Sequence, residues 1–78
     1  MSSLDYISNM AVKNKLKLMR MTRGELTQQD LADRVSCSRQ TIHSIESEKF
    51  VPSVELALRL ARALDVKIED LFTLEGTP

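Results

Sequence analysis

Several stretches of the chain repeat apolar residues every three or four positions, which is the spacing of one face of an α-helix. In the first stretch, Val12, Leu16 and Met19 share such a face. The predicted helices cover about residues 11 to 21, 28 to 35, 39 to 46, 53 to 64 and 68 to 74. Together these elements predict an all-α fold of five helices.

Polar residues mark where these helices begin. Thr27, Ser38 and Ser53 each precede an apolar repeat, and their hydroxyls are good acceptors for the first backbone N–H groups of a helix. Asp30 follows Thr27 at the third helical position, which is close to a capping box. We therefore expect these three residues to be N-caps.

The second and third helices are joined by a short turn at Ser36 and Cys37. Two helices that cross closely need a small contact residue, and Ala32 lies on the apolar face of the second helix. In the third helix, Ile42 and Ile45 face inward and a polar set faces outward. This pattern is typical of a helix-turn-helix unit whose second helix enters a DNA groove.

Arg39 and Gln40 occupy the first turn of that third helix. Arginine makes bidentate hydrogen bonds to guanine and glutamine makes them to adenine. Alone, these residues would more often be no more than a solvated helix start. The spacing of Ala32, the turn, Ile42 and Ile45 favours the DNA-reading interpretation.

With these residues in place, the chain resembles the lambda-repressor-like regulators of the phage repressor and Cro type, the XRE family. The resemblance covers about residues 12 to 74. It rests on five segments in the same order as in the family: Leu26-Thr27-Gln28, Ser38-Arg39-Gln40-Thr41-Ile42, Ile45-Glu46, Pro52-Ser53-Val54-Glu55-Leu56-Ala57 and Leu64-Asp65-Val66 with Ile68-Glu69-Asp70-Leu71-Phe72. It implies a five-helix DNA-binding domain with a short N-terminal extension.

The resemblance also implies roles for single residues. The base-contacting set that we expect is Arg39, Gln40, His43 and Ser44. The set that we expect to contact the DNA backbone is Gln28, Thr41, Ser47 and Lys49. In the family, an arginine late in the first helix pairs with a glutamate at the end of the recognition helix, so Arg20 and Glu46 are expected to form a structural ion pair. Ser36 stands at a turn that commonly carries glycine, and Lys67 stands where the family usually has a Ser or Thr cap.

Composition adds limits to this picture. The chain has 78 residues, with 11 Lys or Arg and 11 Asp or Glu, so its formal net charge is zero. Residues 13 to 49 hold eight of the basic and five of the acidic residues, which places a positive surplus on the expected DNA-facing part. We divide the chain into an N-terminal extension (1–10), whose order the sequence leaves open, a DNA-binding domain (11–74) and a C-terminal tail (75–78).

Other functional classes find no support in the sequence. No nucleophile is paired with a base and no glycine-rich phosphate loop occurs, so we expect no enzyme and no cofactor. One cysteine and one histidine cannot complete a structural zinc site, so we expect no metal. No segment is apolar enough to span a membrane and the N-terminus lacks a signal-peptide pattern, so we expect a cytoplasmic protein without membrane contact.

The expected function is therefore a sequence-specific regulator of transcription, most simply a repressor, that binds double-stranded DNA. A homodimer on a palindromic operator is the expected assembly. The zero net charge keeps a second interpretation open, an antitoxin or helical protein-interaction module with weak or no DNA binding and a protein partner.

Overall fold

The chain folds into five helices and one pair of strands, and the computed structural model describes residues 10 to 76. In chain order the elements are β1 (Met10–Asn14), α1 (Leu16–Thr22), α2 (Gln28–Val35), α3 (Arg39–Glu46), α4 (Val54–Ala63), α5 (Ile68–Leu71) and β2 (Phe72–Gly76). The number and order of the helices agree with the sequence prediction. The fold is predominantly helical, but the all-α class is wrong because of the strands.

The two strands join the two ends of the described chain. β1 and β2 run antiparallel, with Met10 opposite Gly76 and Asn14 opposite Phe72. The predicted first helix, from residue 11, therefore starts too early, and the predicted fifth helix, to residue 74, ends too late. Val12 and Leu16 lie four residues apart, which fits a helix, but it is equally twice the two-residue period of a strand. Because the same spacing fits both structures, it does not distinguish a helix from a strand at residues 11 to 14.

The predicted N-caps are present at the starts of α2, α3 and α4. Thr27 Oγ1 accepts from the Asp30 backbone N–H at 3.0 Å, and Asp30 Oδ2 accepts from the Thr27 N–H at 3.0 Å, which completes a capping box. Ser38 and Ser53 cap α3 and α4 in the same way. Lys67 gives α5 no side-chain cap, and α5 is only four residues long.

The core lies where α2, α3 and α4 meet, with α1 and α5 closing it. Its largest fully buried side chains are Leu16, Leu31, Ile42, Ile45, Leu60 and Leu71. Ala32 is completely buried in the core, which agrees with the sequence pattern's requirement for a small residue at this position. This packing holds α3 with Ile42 and Ile45 inward, so its opposite face is left to solvent.

Residues 1 to 9 of the predicted N-terminal extension lie outside the described residues. The division into extension, domain and tail stays a prediction.

Candidate nucleic-acid interface

The turn between α2 and α3 is made by a residue in the left-handed backbone region. Ser36 has φ 59° and ψ 47°, and its N–H and that of Cys37 both approach the Ala32 carbonyl. A left-handed residue reverses the chain tightly at the end of a helix. The turn thereby sets α3 across α2, so that Gln28 at the start of α2 lies beside the outer face of α3 and contacts its last residue, Glu46.

This arrangement gathers the predicted base-reading residues into one place. Arg39, Gln40 and His43 of α3 line a shallow surface cavity together with Gln28 of α2. Arg39, Gln40 and His43 are exposed, while Ser44 is half-buried and lies 3.4 Å from Gln40, between Oγ and Nε2. Side chains rich in hydrogen-bonding groups therefore lie together on one side of the molecule.

The predicted backbone-contacting residues are less uniform. The Thr41 hydroxyl lies 2.8 Å from Ser38 Oγ, and the Ser47 hydroxyl donates to the His43 carbonyl at 2.8 Å, so both are engaged with their own helix. Lys49 is exposed beyond the end of α3. These three residues do not line the cavity that Gln28 shares with the base-reading residues.

Arg20 and Glu46 tie the end of α3 to α1. Arg20 Nε lies 2.7 Å from Glu46 Oε2 and Arg20 Nη2 lies 3.2 Å from Oε1, and Arg20 Nη1 donates to the Leu26 carbonyl at 2.7 Å. The two side chains are only 11% and 5% exposed, so solvent screens this pair little. Burial by itself raises the pKa of Glu46, but the hydrogen bonds from Arg20 and Gln28 outweigh it and hold the pKa below 4.5. Glu46 is therefore an anion in the folded protein at neutral pH.

The strand β1 supplies contacts to α3 that the sequence analysis missed. Asn14 Nδ2 donates to the Ile45 carbonyl at 2.9 Å, and Asn14 Oδ1 accepts from the Leu16 N–H at 3.0 Å. One amide thus caps the start of α1 and holds the end of α3. An asparagine two residues before the first helical N–H is a recognisable local signal for the first contact. No local pattern predicts the contact between Asn14 and the Ile45 carbonyl, because the two residues are far apart in the chain.

Lys13 makes a second contact from β1. Its Nζ donates to Glu48 Oε2 at 3.0 Å, and this hydrogen bond to the carboxylate raises the pKa of Lys13. Glu48 itself has a left-handed backbone, with φ 63°, just beyond α3. Both partners are exposed, so the contact contributes little energy, but it lies directly before Lys49 in the loop expected to follow the DNA backbone.

Residues 10 to 76 show neither a metal-binding cluster nor a membrane-spanning helix. Between residues 10 and 76, no group of three or more His, Cys, Asp or Glu side chains is placed to hold a metal ion. None of the helices described there has the length and apolar character needed to cross a membrane. Cys37 is half-buried, and its burial raises the pKa of its thiol.

A profile of the helix-turn-helix family matches residues 16 to 71. An uncharacterized HTH-type transcriptional regulator of Methanocaldococcus jannaschii is 50% identical over 64 residues, which are 82% of this chain and 96% of that protein. Another from Bacillus subtilis is 42% identical over 64 residues, with the same coverage of 82% and 96%.

Two solved structures share the fold. One is the restriction-modification controller protein C.AhdI of Aeromonas hydrophila, with a TM-score of 0.65 and 29% identity over 70% of this chain and 82% of that chain. The other is a Bacteroides fragilis protein assigned to the DNA-binding proteins, with a TM-score of 0.73 and 26% identity over 80% of this chain and 98% of that chain. The family match spans α1 to α5, including the motif of residues 27 to 46 that predicted it. The chain therefore belongs to the helix-turn-helix family, of the XRE type.

Proposed function

We propose that this protein, a DNA-binding transcriptional regulator, is a sequence-specific repressor that reads the major groove with α3. The observation that carries the proposal is the placement of Arg39, Gln40 and His43 in the first turns of α3, opposite the buried Ile42 and Ile45. The N-terminal residues of a recognition helix are those that reach base edges. The names of the HTH-type relatives support regulation of transcription.

In this proposal the side chains divide into two roles. Arg39, Gln40, His43 and Ser44 read base edges, because they form the exposed side of α3 and its margin. Gln28, Thr41, Ser47 and Lys49 contact the DNA backbone. Lys49 does so as a charge, Gln28 through its side-chain amide, and the hydroxyls of Thr41 and Ser47 would have to share the contacts that they already make.

The same proposal includes a homodimer on a palindromic operator. Leu18, Met21 and Leu74 are large apolar residues that remain more than half exposed, at 55%, 54% and 57%. They lie on α1 and β2, away from the base-reading face of α3, and apolar surface of this kind favours association. A two-fold dimer would present two α3 helices to half-sites about 34 Å apart. A regulator of this kind acts in the cytoplasm and needs neither a cofactor nor catalysis.

The test is selection of bound duplexes from a random-sequence DNA library by the wild-type protein and by single variants. We expect a palindromic consensus, and we expect Arg39→Ala and Gln40→Ala to lose definition at particular positions, at about 1–3 kcal/mol for each base contact. Lys49→Ala should weaken all duplexes alike and reduce the salt dependence of binding by about one counterion. Lys67→Ala, which removes the same charge before α5, is the control and should change neither.

A second candidate function has one observation in its favour. Phe50, Val51, Val54 and Leu58 are exposed apolar residues along the loop after α3 and the start of α4, which suits a protein-interaction module such as an antitoxin. Failure of the wild-type protein to enrich any duplex at low salt would overturn the DNA-reading proposal and favour this candidate.

A further inference from the structure

Gln28 begins α2, and its side-chain amide is tied to the far end of α3. Gln28 Nε2 donates to Glu46 Oε1 at 3.0 Å, and this contact is part-buried. Glu46 is the last residue of α3, with a side chain only 5% exposed. The contact therefore joins the start of one motif helix to the end of the other, beside the cavity that Gln28 shares with Arg39 and Gln40.

The carboxylate of Glu46 fixes which way round the amide stands. An ionised carboxylate only accepts hydrogen bonds, so the nitrogen of Gln28 must face Glu46 and its carbonyl oxygen must face away. Without such a partner, the two ends of a glutamine amide are close in size and exchange places freely. The Gln28 amide is thus held in one of its two orientations.

An amide nitrogen carries two N–H groups, and Glu46 uses one of them. Among residues 10 to 76, the hydrogen-bond partner of the Gln28 side chain is Glu46. The other N–H is left available for a second acceptor. A DNA phosphate is also purely an acceptor, so it needs an N–H on the outer side of Gln28 rather than a carbonyl oxygen.

Arg20 makes this arrangement compatible with DNA. A lone carboxylate at the DNA-facing edge would repel phosphates, but Glu46 is paired with the Arg20 guanidinium through two hydrogen bonds. The pair has no net charge, yet Oε1 still accepts from Gln28. The ion pair therefore supplies an acceptor to Gln28 without adding negative charge to the interface.

We propose that Glu46 is a positioning residue for DNA binding, which holds the Gln28 amide with one N–H presented to a backbone phosphate. This rests on the proposed function, and it assigns Glu46 a role beyond joining α3 to α1. A fixed amide loses less conformational freedom when DNA binds, which is how the positioning raises affinity.

A double-mutant cycle tests the proposal, with affinity measured for a synthetic duplex recovered by the selection. We expect Gln28→Ala and Glu46→Gln each to weaken binding about 3- to 10-fold, the range for one hydrogen bond. We expect Glu46→Gln to weaken binding no further in a Gln28→Ala background, because the two act through one contact. Equal losses in both backgrounds would show that Glu46 acts only through the body of the protein and would overturn the proposal.

Glu48→Gln is the matched control. It removes a negative charge two residues after Glu46, on a side chain paired with Lys13 rather than Gln28. Removing an anion near DNA should by itself raise affinity. We therefore expect Glu48→Gln to bind as well as the wild type or better, whereas Glu46→Gln binds less well despite the same change of charge. An increase for both variants would contradict the proposal.

If Glu46→Gln does not fold, the wild-type protein answers the question by NMR. The side-chain ¹⁵N signal of Gln28 should move as the Glu46 carboxyl is titrated. On addition of the duplex, the signal of one of the two side-chain amide protons of Gln28 should shift. A Gln28 amide that ignores either the titration or the duplex would overturn the proposal. Absence of DNA binding by the wild type would overturn the proposed function as well, whereas binding with additive variants overturns this inference alone.

Discussion

Replacing Ser36 with glycine should stabilise the protein. Ser36 ends α2 with φ 59° and ψ 47°, and its side chain is exposed. For a residue with a β-carbon, the left-handed region costs about 1–2 kcal/mol because the β-carbon crowds the following carbonyl. Glycine avoids this cost but loses about 0.5–1 kcal/mol of extra chain entropy on folding. We expect a net gain of about 0.5–1 kcal/mol in the free energy of unfolding.

The gain is measurable by thermal and denaturant unfolding. In a domain of this size, each kcal/mol moves Tm by about 4–8 °C, so Ser36→Gly should raise Tm by about 2–8 °C. Ser36→Ala is the control, because it removes the hydroxyl and keeps the β-carbon, and it should give no gain. A Ser36→Gly protein no more stable than Ser36→Ala would refute the argument that the β-carbon strains this turn.

Three further substitutions test other parts of the structure. Glu46→Ala should cost about 3 kcal/mol at neutral pH by leaving Arg20 unpaired. Since the pKa of Glu46 is below 4.5 when folded, this difference should be present above about pH 4.5 and shrink in acid as the pH falls through the folded pKa, as read from urea midpoints. Asn14→Asp keeps the acceptor for the Leu16 N–H but loses the donor to Ile45, so we expect a loss of about 1–2 kcal/mol in the same assay. Ala32→Leu should cost about 1–3 kcal/mol by forcing α2 and α3 apart, and DNA affinity should fall with it; an unchanged Tm would contradict the close crossing.

The helix-turn-helix unit could be predicted from the sequence because its signals are local. Thr27 and Asp30 form reciprocal hydrogen bonds across one helical turn. Ser38 likewise accepts from the Thr41 N–H at the start of α3. A few neighbouring residues therefore determine where α2 and α3 begin. The exposed position of Arg39 and Gln40 follows from the same periodicity once Ile42 and Ile45 are assigned to the core.

The pairing of Arg20 with Glu46 was expected only through the family resemblance. The residues of this pair are separated in the chain by α2, the turn and the rest of α3, and the local sequence around one does not predict the other. Neither the local sequence nor the family resemblance predicts that Gln28 also contacts the Glu46 carboxylate. The structure shows this contact, which orients the Gln28 amide. That contact joins residues of two different helices, so it depends on how α2 and α3 pack against each other.

Sequence alone determined the number and order of the helices, the N-caps of α2, α3 and α4, and the inward face of α3, because each depends on residues within about one turn of one another. Only the tertiary structure decided that residues 10 to 14 form a strand and that Asn14 holds the end of α3. A helix satisfies its backbone hydrogen bonds from its own neighbours, whereas β1 needs the N–H and C=O groups of β2 at the opposite end of the chain. The two ends are brought together by the packing of the helices between them, so no local pattern could reveal their pairing.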